Sequence, residues 1–200
     1  MRRFFPFRLS QSIGLDIQGH EICLLQLQTR LIKKMAVVPL PTGAVREGRI
    51  QEADVVSRCL RDLVCRTKTK GQTVAIALPD HCVFSKRIES ISNLPAKERE
   101  QEIKVNINRY FSNPTEALCI DYALLETREG IDTLLVAAVS HEYVSSYVDT
   151  VESAGLRVKI VDIESYARQR GIDFLTTQSE KLSPQWWVSC GLAQRGMRYD

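Results

Sequence analysis

Residues 12–39 read SIGLDIQGHEICLLQLQTRLIKKMAVVP. Three β-prone runs follow one another in this stretch, and only two short polar segments, Gln18-Gly19-His20 and Thr29-Arg30, separate them. Connections this short join neighbouring antiparallel strands through hairpins. The stretch therefore predicts a three-strand antiparallel meander, with strands at Ser12–Asp16, Ile22–Gln28 and Ile32–Pro39.

The next segments predict a helix that covers a sheet. Glu52–Cys65 carries apolar residues at helical spacing. Thr73–Leu78 is a short apolar run stopped by Pro79, and Val158–Ile163 is a second run of this kind. Such runs are typical of strands that are buried on both faces.

Residues 83–157 have a different organisation. The pattern predicts a strand at 83–91, a helix opened by Pro95, strands at 120–126 and 133–140 around Gly130, and a helix at 141–154 ended by Gly155. Residues 173–183 are polar and without a pattern, and residues 190–196 suggest a short helix. We therefore predict a mixed α/β protein with a flexible tail at 1–11, a core subdomain at 12–82 and 158–200, and an inserted strand-helix-strand-strand-helix subdomain at 83–157.

Composition excludes several classes of protein. The net charge is +3 and basic residues are scattered among acidic ones, so we expect no nucleic-acid partner. The longest apolar runs are too short to cross a bilayer, and the first ten residues lack the pattern of a signal peptide, which predicts a cytosolic protein. Six cysteines without CxxC spacing predict neither disulfides nor zinc. The tail, rich in arginine and phenylalanine, is either a frayed end or a patch that touches anionic lipid.

Five short stretches of the sequence, taken together in their order and spacing, are similar to a known protein family. They are Ile13–Ile17, Val74–Pro79, Leu94–Tyr122, Ala154–Glu164 and, last, Cys190–Gly196. Their order and spacing resemble the PilM family of type IV pilus assembly proteins, relatives of the actin-like division protein FtsA. The resemblance implies an actin-like, ribonuclease H-like core subdomain and an inserted subdomain of the FtsA type.

The family's partner is the membrane protein PilN, so the resemblance implies one here. The cytoplasmic N-terminal peptide of PilN would dock between the two subdomains, and the chain would join the PilN/PilO complex, peripheral to the inner membrane. The alternative for the residues that would line this groove is ordinary packing inside the insert. The candidates are Ile103, Ile107, Tyr110, Phe111, Leu134, Val136 and Ala138.

The family's first phosphate hairpin is altered in this chain. Asp16 is present, but Gln18 stands at the glycine place, Gly19 follows it, and Cys23 stands at the lysine place. A backbone that holds phosphate needs close approach and often positive φ, so we expect the Gln18 side chain to cost about 1 to 2 kcal/mol and to crowd a ligand. The family's second actin-like half would lie between Glu164 and Trp186, where only about twenty residues occur.

Other candidate chemistry has simpler alternatives. Asp16 either holds a metal-bound water or caps a tight hairpin. His20, His81 and His141 are far apart in sequence, and Asp80-His81-Cys82 is interpreted as a turn. Trp186 and Trp187 either anchor a partner or seal a shortened core.

The sequence thus predicts a cytoplasmic adaptor of a pilus, secretion or DNA-uptake system, which docks PilN, needs no cofactor and has lost ATPase function. The alternative is a degenerate actin-like protein that binds ATP and Mg²⁺ and whose nucleotide state gates partner binding. A third possibility is a decayed product that folds poorly because an apolar face is exposed. Such a face would also favour self-association.

Overall fold

The computed structural model describes residues 11–91, 94–111, 117–178 and 181–197. The chain divides into two compact units, the first from residues 1–80 with 146–200 and the second from residues 81–145. The predicted tail lies outside the described residues except for Gln11. The domain boundaries drawn from sequence at 83 and 157 stay predictions, and helix α4 (His141–Ser153) contains the second division between the units.

A five-stranded sheet is the centre of the first unit. Its order is β3-β2-β1-β6-β10, with β1, β6 and β10 parallel and β2 antiparallel to both of its neighbours. This is the strand order of a ribonuclease H-like core. The strands are β1 (Gln11–Ile17), β2 (Glu21–Gln28), β3 (Leu31–Pro39), β6 (Thr73–Leu78) and β10 (Arg157–Ile163), and β4 (Val45–Arg46) pairs with β5 (Arg49–Ile50) in a separate small hairpin.

Three further helices belong to the first unit: α1 (Ala53–Thr67), α5 (Glu164–Gln178) and α6 (Trp187–Gly196). Residues 173–183, which are polar and without a pattern in the sequence, are helical as far as Gln178, where α5 ends. Its buried residues are Ala167, Gly171, Phe174 and Leu175, and the first two are too small to make the apolar periodicity stand out.

Helix α6 approaches both the sheet and α5 very closely. A Cβ on Gly14 of β1 would lie 1.8 Å from the Ser189 carbonyl oxygen, and one on Gly191 would lie 1.8 Å from that of Ala167. Glycine is therefore required at both contacts. Trp186 and Trp187 pack, half-buried, against a cluster that includes Leu25 and Phe174, which agrees with the sealing interpretation.

The second unit is built on a three-stranded antiparallel sheet in the order β7-β9-β8. Strands β8 and β9 are longer than predicted, because the turn between them consists of only Glu129 and Gly130, both with positive φ. The predicted helix after Pro95 is present but is interrupted at Asn106, and the predicted Asn113-Pro114 break lies outside the described residues. The elements are β7 (Phe84–Ile91), α2 (Ala96–Val105), α3 (Ile107–Tyr110), β8 (Leu118–Arg128) and β9 (Ile131–Ser140).

None of the helices in the described parts of the chain has both the length and the apolar character that a bilayer crossing requires.

Candidate functional site

The hairpin between β1 and β2 closes on itself. The backbone N–H of Gln18 donates to the carbonyl oxygen of Glu21 at 2.9 Å, which makes a tight turn. The side-chain Nε2 of Gln18 then donates to Oδ2 of Asp16 at 2.7 Å. Asp16 is only 5% exposed, and the hydrogen-bond donor to its buried carboxylate is an amide from its own hairpin.

The backbone of this turn does not carry the strain expected from the sequence. Neither Gln18 nor Gly19 has a φ in the left-handed region, so the predicted conformational cost of Gln18 is wrong. Gly19 lies in an open place, since an added Cβ would meet only the Val45 carbonyl oxygen, at 3.8 Å. What distinguishes the hairpin is the direction of the Gln18 side chain, which covers Asp16.

The charges around Asp16 are mostly negative. The pKa of Asp16 is raised from 3.8 to about 6, chiefly by burial and also by Glu164 and Glu21, while the hydrogen bond from the Gln18 amide and the charge of Arg168 act in the opposite direction. Burial beside Glu21 and Asp16 likewise raises the pKa of the Cys23 thiol to about 12, with Sγ 3.6 Å from Oε1 of Glu21. Cys23 is therefore a neutral buried thiol where a phosphate-binding hairpin of the family would place a cation.

Two residues at the start of α5 belong to this site and were missed from sequence. Glu164, the first residue of α5, interacts electrostatically with Asp16 and pairs with Arg168 one turn later. The sequence did contain a signal for Glu164, namely its position. It directly follows a predicted buried strand, at the edge of the sheet where parallel strands end. With Glu21, the site brings three carboxylates to the carboxyl end of the sheet.

A second buried carboxylate lies nearby at the end of β10. Asp162 is 4% exposed and accepts hydrogen bonds from Arg170 of α5 and Arg195 of α6. These ion pairs tie both helices to the sheet. Asp162 is thus a buried carboxylate held by two arginines, whereas Asp16 is a buried carboxylate held by an amide.

The turn after β6 has a structural role. Residues Asp80–Cys82 form a short 3-10 turn, as the turn interpretation predicted. Oδ1 of Asp80 accepts from the Ser165 hydroxyl at 2.6 Å and from its backbone N–H at 3.3 Å, which fixes the start of α5. Across the described ranges, histidine, cysteine and acidic side chains do not gather in threes suited to a metal ion.

The seven residues predicted to line a peptide groove separate into two sets. Side chains of the first set are buried in the second unit, three of them in a cluster with Ile88; this set is Ile103, Leu134, Val136 and Ala138. For these four, burial favours the packing alternative. Ile107, Tyr110 and Phe111 are half-buried, and the two aromatic residues pack against the edge of that cluster.

Comparison with known proteins agrees with this architecture. The family described as type IV pilus assembly protein PilM matches residues 14–183. The PilM-PilN type IV pilus biogenesis complex is similar at 24% identity and a TM-score of 0.70, over 80% of this chain and 49% of that one. The cytoplasmic domain of EpsL, an inner membrane component of the type II secretion system of Vibrio cholerae, is similar at 12% identity and a TM-score of 0.53, over 79% of this chain and 59% of that one.

The two likenesses confirm the predicted fold, and the chain spans about half the length of the PilM chain that it matches. The family match extends over most of the 200 residues, from β1 through α5. This chain belongs to the PilM family of type IV pilus assembly proteins.

Proposed function

We propose that this chain is a cytoplasmic adaptor of an inner-membrane type IV pilus assembly complex, that it binds the N-terminal peptide of PilN, and that it does not hydrolyse ATP. The observation that carries the loss of ATPase function is the hydrogen bond from Gln18 to Asp16. It occupies the carboxylate that the family resemblance assigns to the nucleotide site.

The residues of the hairpin do not fit a nucleotide phosphate. A phosphate would meet Asp16, Glu21 and Glu164, whose negative charges repel it, and the nearest cation, Arg168, is already paired with Glu164. A divalent cation would compete with the Gln18 amide for Oδ2 of Asp16. These features support a protein that binds its partner without a nucleotide cofactor.

The support for a PilN-type partner is the family itself, together with the solved complex of a similar PilM with PilN. Within the second unit, Ile107, Tyr110 and Phe111 are the predicted contact residues that its core does not fully bury. Half-buried aromatic residues at the rim of a packed cluster are suitable anchors for an apolar peptide.

Titration of a fluorescent PilN N-terminal peptide tests this proposal. We expect saturable binding by fluorescence anisotropy, and a loss of about tenfold or more in Tyr110→Ala or Ile107→Ser. Ile107→Ser is the second variant because Ile107 does not belong to the buried cluster. Val105→Ser is the matched control, since Val105 is 74% exposed at the end of α2.

Peptide binding that Val105→Ser weakens as much as Tyr110→Ala would contradict this choice of residues. Absence of peptide binding by the folded protein would contradict the adaptor function itself. Peptide binding that requires Mg-ATP would instead favour the nucleotide-gated alternative.

A further inference from the structure

Basic side chains collect at one end of the five-stranded sheet. This basic end is defined by three connections: residues 68–72 and 154–156, at the amino ends of the parallel strands β6 and β10, and residues 29–30, the turn between β2 and β3 beside the start of β1. The first two connections are joined by backbone hydrogen bonds. Gly71 N–H donates to the Gly155 carbonyl at 2.7 Å, and Arg157 N–H donates to that of Gln72 at 3.0 Å.

The basic end carries little compensating negative charge. All three connections are described, and none contains Asp or Glu. The carboxylate of Glu152, one turn away on α4, accepts from the backbone N–H of Val158. The exposed cations at this end are Arg30, Lys68, Lys70, Arg157 and Lys159.

The opposite end of the same sheet carries charges of both signs. Asp16, Glu21 and Asp80 lie there, and the carboxylates of Asp162 and Glu164 are paired with arginines of α5 and α6. Cations therefore outnumber carboxylates at the basic end, whereas the two signs are largely paired at the opposite end. A surface of one sign, gathered on one end, is suited to a partner that is itself an extended charged surface.

Strand β1 begins at Gln11, opposite Gln28, so the first described residue of the chain lies at the basic end. Residues 1–10 contain three arginines, three phenylalanines and no acidic residue. Arginine mixed with aromatic residues favours the interface of an anionic bilayer, where rings enter the acyl boundary and cations meet headgroups.

We infer that the basic end is a docking surface for a membrane that contains anionic lipid. Five strands at sheet spacing span about 19 Å, so several headgroups meet this end at once. Nucleic acid is the alternative partner for such a cationic surface, and the experiment below separates it from lipid. The inference rests on charges of the first unit alone and is independent of the proposed peptide site.

Flotation with lipid vesicles tests the inference on the full chain. We expect binding to vesicles of phosphatidylcholine with roughly one third phosphatidylglycerol, weak binding to pure phosphatidylcholine, and release by high salt. The triple variant Lys68→Gln, Lys70→Gln, Arg157→Gln should bind at least about tenfold more weakly, because each cation contributes about fivefold at such a surface. A second variant with Lys68→Arg and Lys70→Arg should bind like the parent.

The matched control removes three exposed cations elsewhere: Arg58→Gln, Lys86→Gln and Lys97→Gln. This control lowers the net charge by the same amount as the first triple variant. It should keep lipid binding if the position of the cations, and not the total charge of the chain, determines binding. Equal loss in both triple variants, or no binding of the parent to anionic vesicles, would overturn the inference. Tighter binding to a short DNA or RNA strand than to the vesicles would overturn it in favour of nucleic acid.

Discussion

Asp16 and Asp162 are two buried carboxylates at the carboxyl ends of β1 and β10 in one sheet, and their exposed fractions are 5% and 4%. Asp162 is paired with two arginines from two helices, whereas Asp16 has an amide hydrogen bond and two acidic neighbours. Two carboxylates with similar burial therefore affect the stability of the fold in opposite ways. The ion pairs of Asp162 stabilise the folded state, whereas the folded state favours the protonated form of Asp16.

The largest effect is expected from Asp162→Ala. Removing it leaves Arg170 and Arg195 without their shared carboxylate, which should lower the free energy of unfolding by about 3 kcal/mol. Urea denaturation measures this. Asp173→Ala is the control, because Asp173 is exposed and its hydrogen bond comes from the exposed amide of Gln169, so its loss should cost under about 0.5 kcal/mol. Equal effects of the two substitutions would show that the Asp162 pairs do not hold α5 and α6.

The next effect should have the opposite sign. The pKa of Asp16 is about 6 in the folded chain and near 3.8 when unfolded, so ionisation between these values weakens the folded state as pH rises. Asp16→Asn removes this cost. It should raise the free energy of unfolding by roughly 2 to 3 kcal/mol at pH 7.5 and by only about 1 kcal/mol at pH 4.5. Equal destabilisation at both pH values would contradict this account of Asp16.

The smallest effect should come from the amide that covers Asp16. Gln18→Ala removes the hydrogen bond to Oδ2, so it should cost about 1 kcal/mol at pH 7.5, where the carboxylate is charged, and less at pH 4.5. It should also raise the pKa of Asp16, measurable by carboxyl NMR titration. A pKa that falls in this variant would mean that Gln18 does not stabilise the anion.

Much of this architecture follows from local patterns. Strands β1 to β3 and helices α1 and α4 have regular apolar periods and clear turn residues, and their boundaries were predicted within a few residues. Helix α5 was missed because close contact of Gly171 and Ala167 with α6 replaces large apolar side chains. Local periodicity does not report contacts made through glycine.

The site was only partly predictable for a similar reason. The sequence identified Asp16 and Gln18 as an altered phosphate hairpin, but the direction of the Gln18 amide is decided by tertiary packing. Glu164 lies about 150 residues away along the chain, and only the sheet brings it to Asp16. The same holds for the basic end, where cations from the turn between β2 and β3, the segment before β6 and the start of β10 meet.

The possibility of a decayed chain with an exposed apolar face finds little support in the first unit. Side chains on the exposed side of α5 are mostly polar, among them Gln169, Asp173 and Thr176. Tyr166 is the large apolar side chain on this side, at 45% exposure. A cooperative thermal melt is therefore expected.

Isothermal titration of the chain with Mg-ATP tests the central claim most directly, because it asks whether the hairpin at Asp16 accepts a phosphate. The covered carboxylate and its acidic neighbours predict no saturable heat, even at ligand concentrations of about 1 mM, where an affinity of only about 4 kcal/mol would be detected. Saturable binding that Asp16→Asn abolishes would contradict the account.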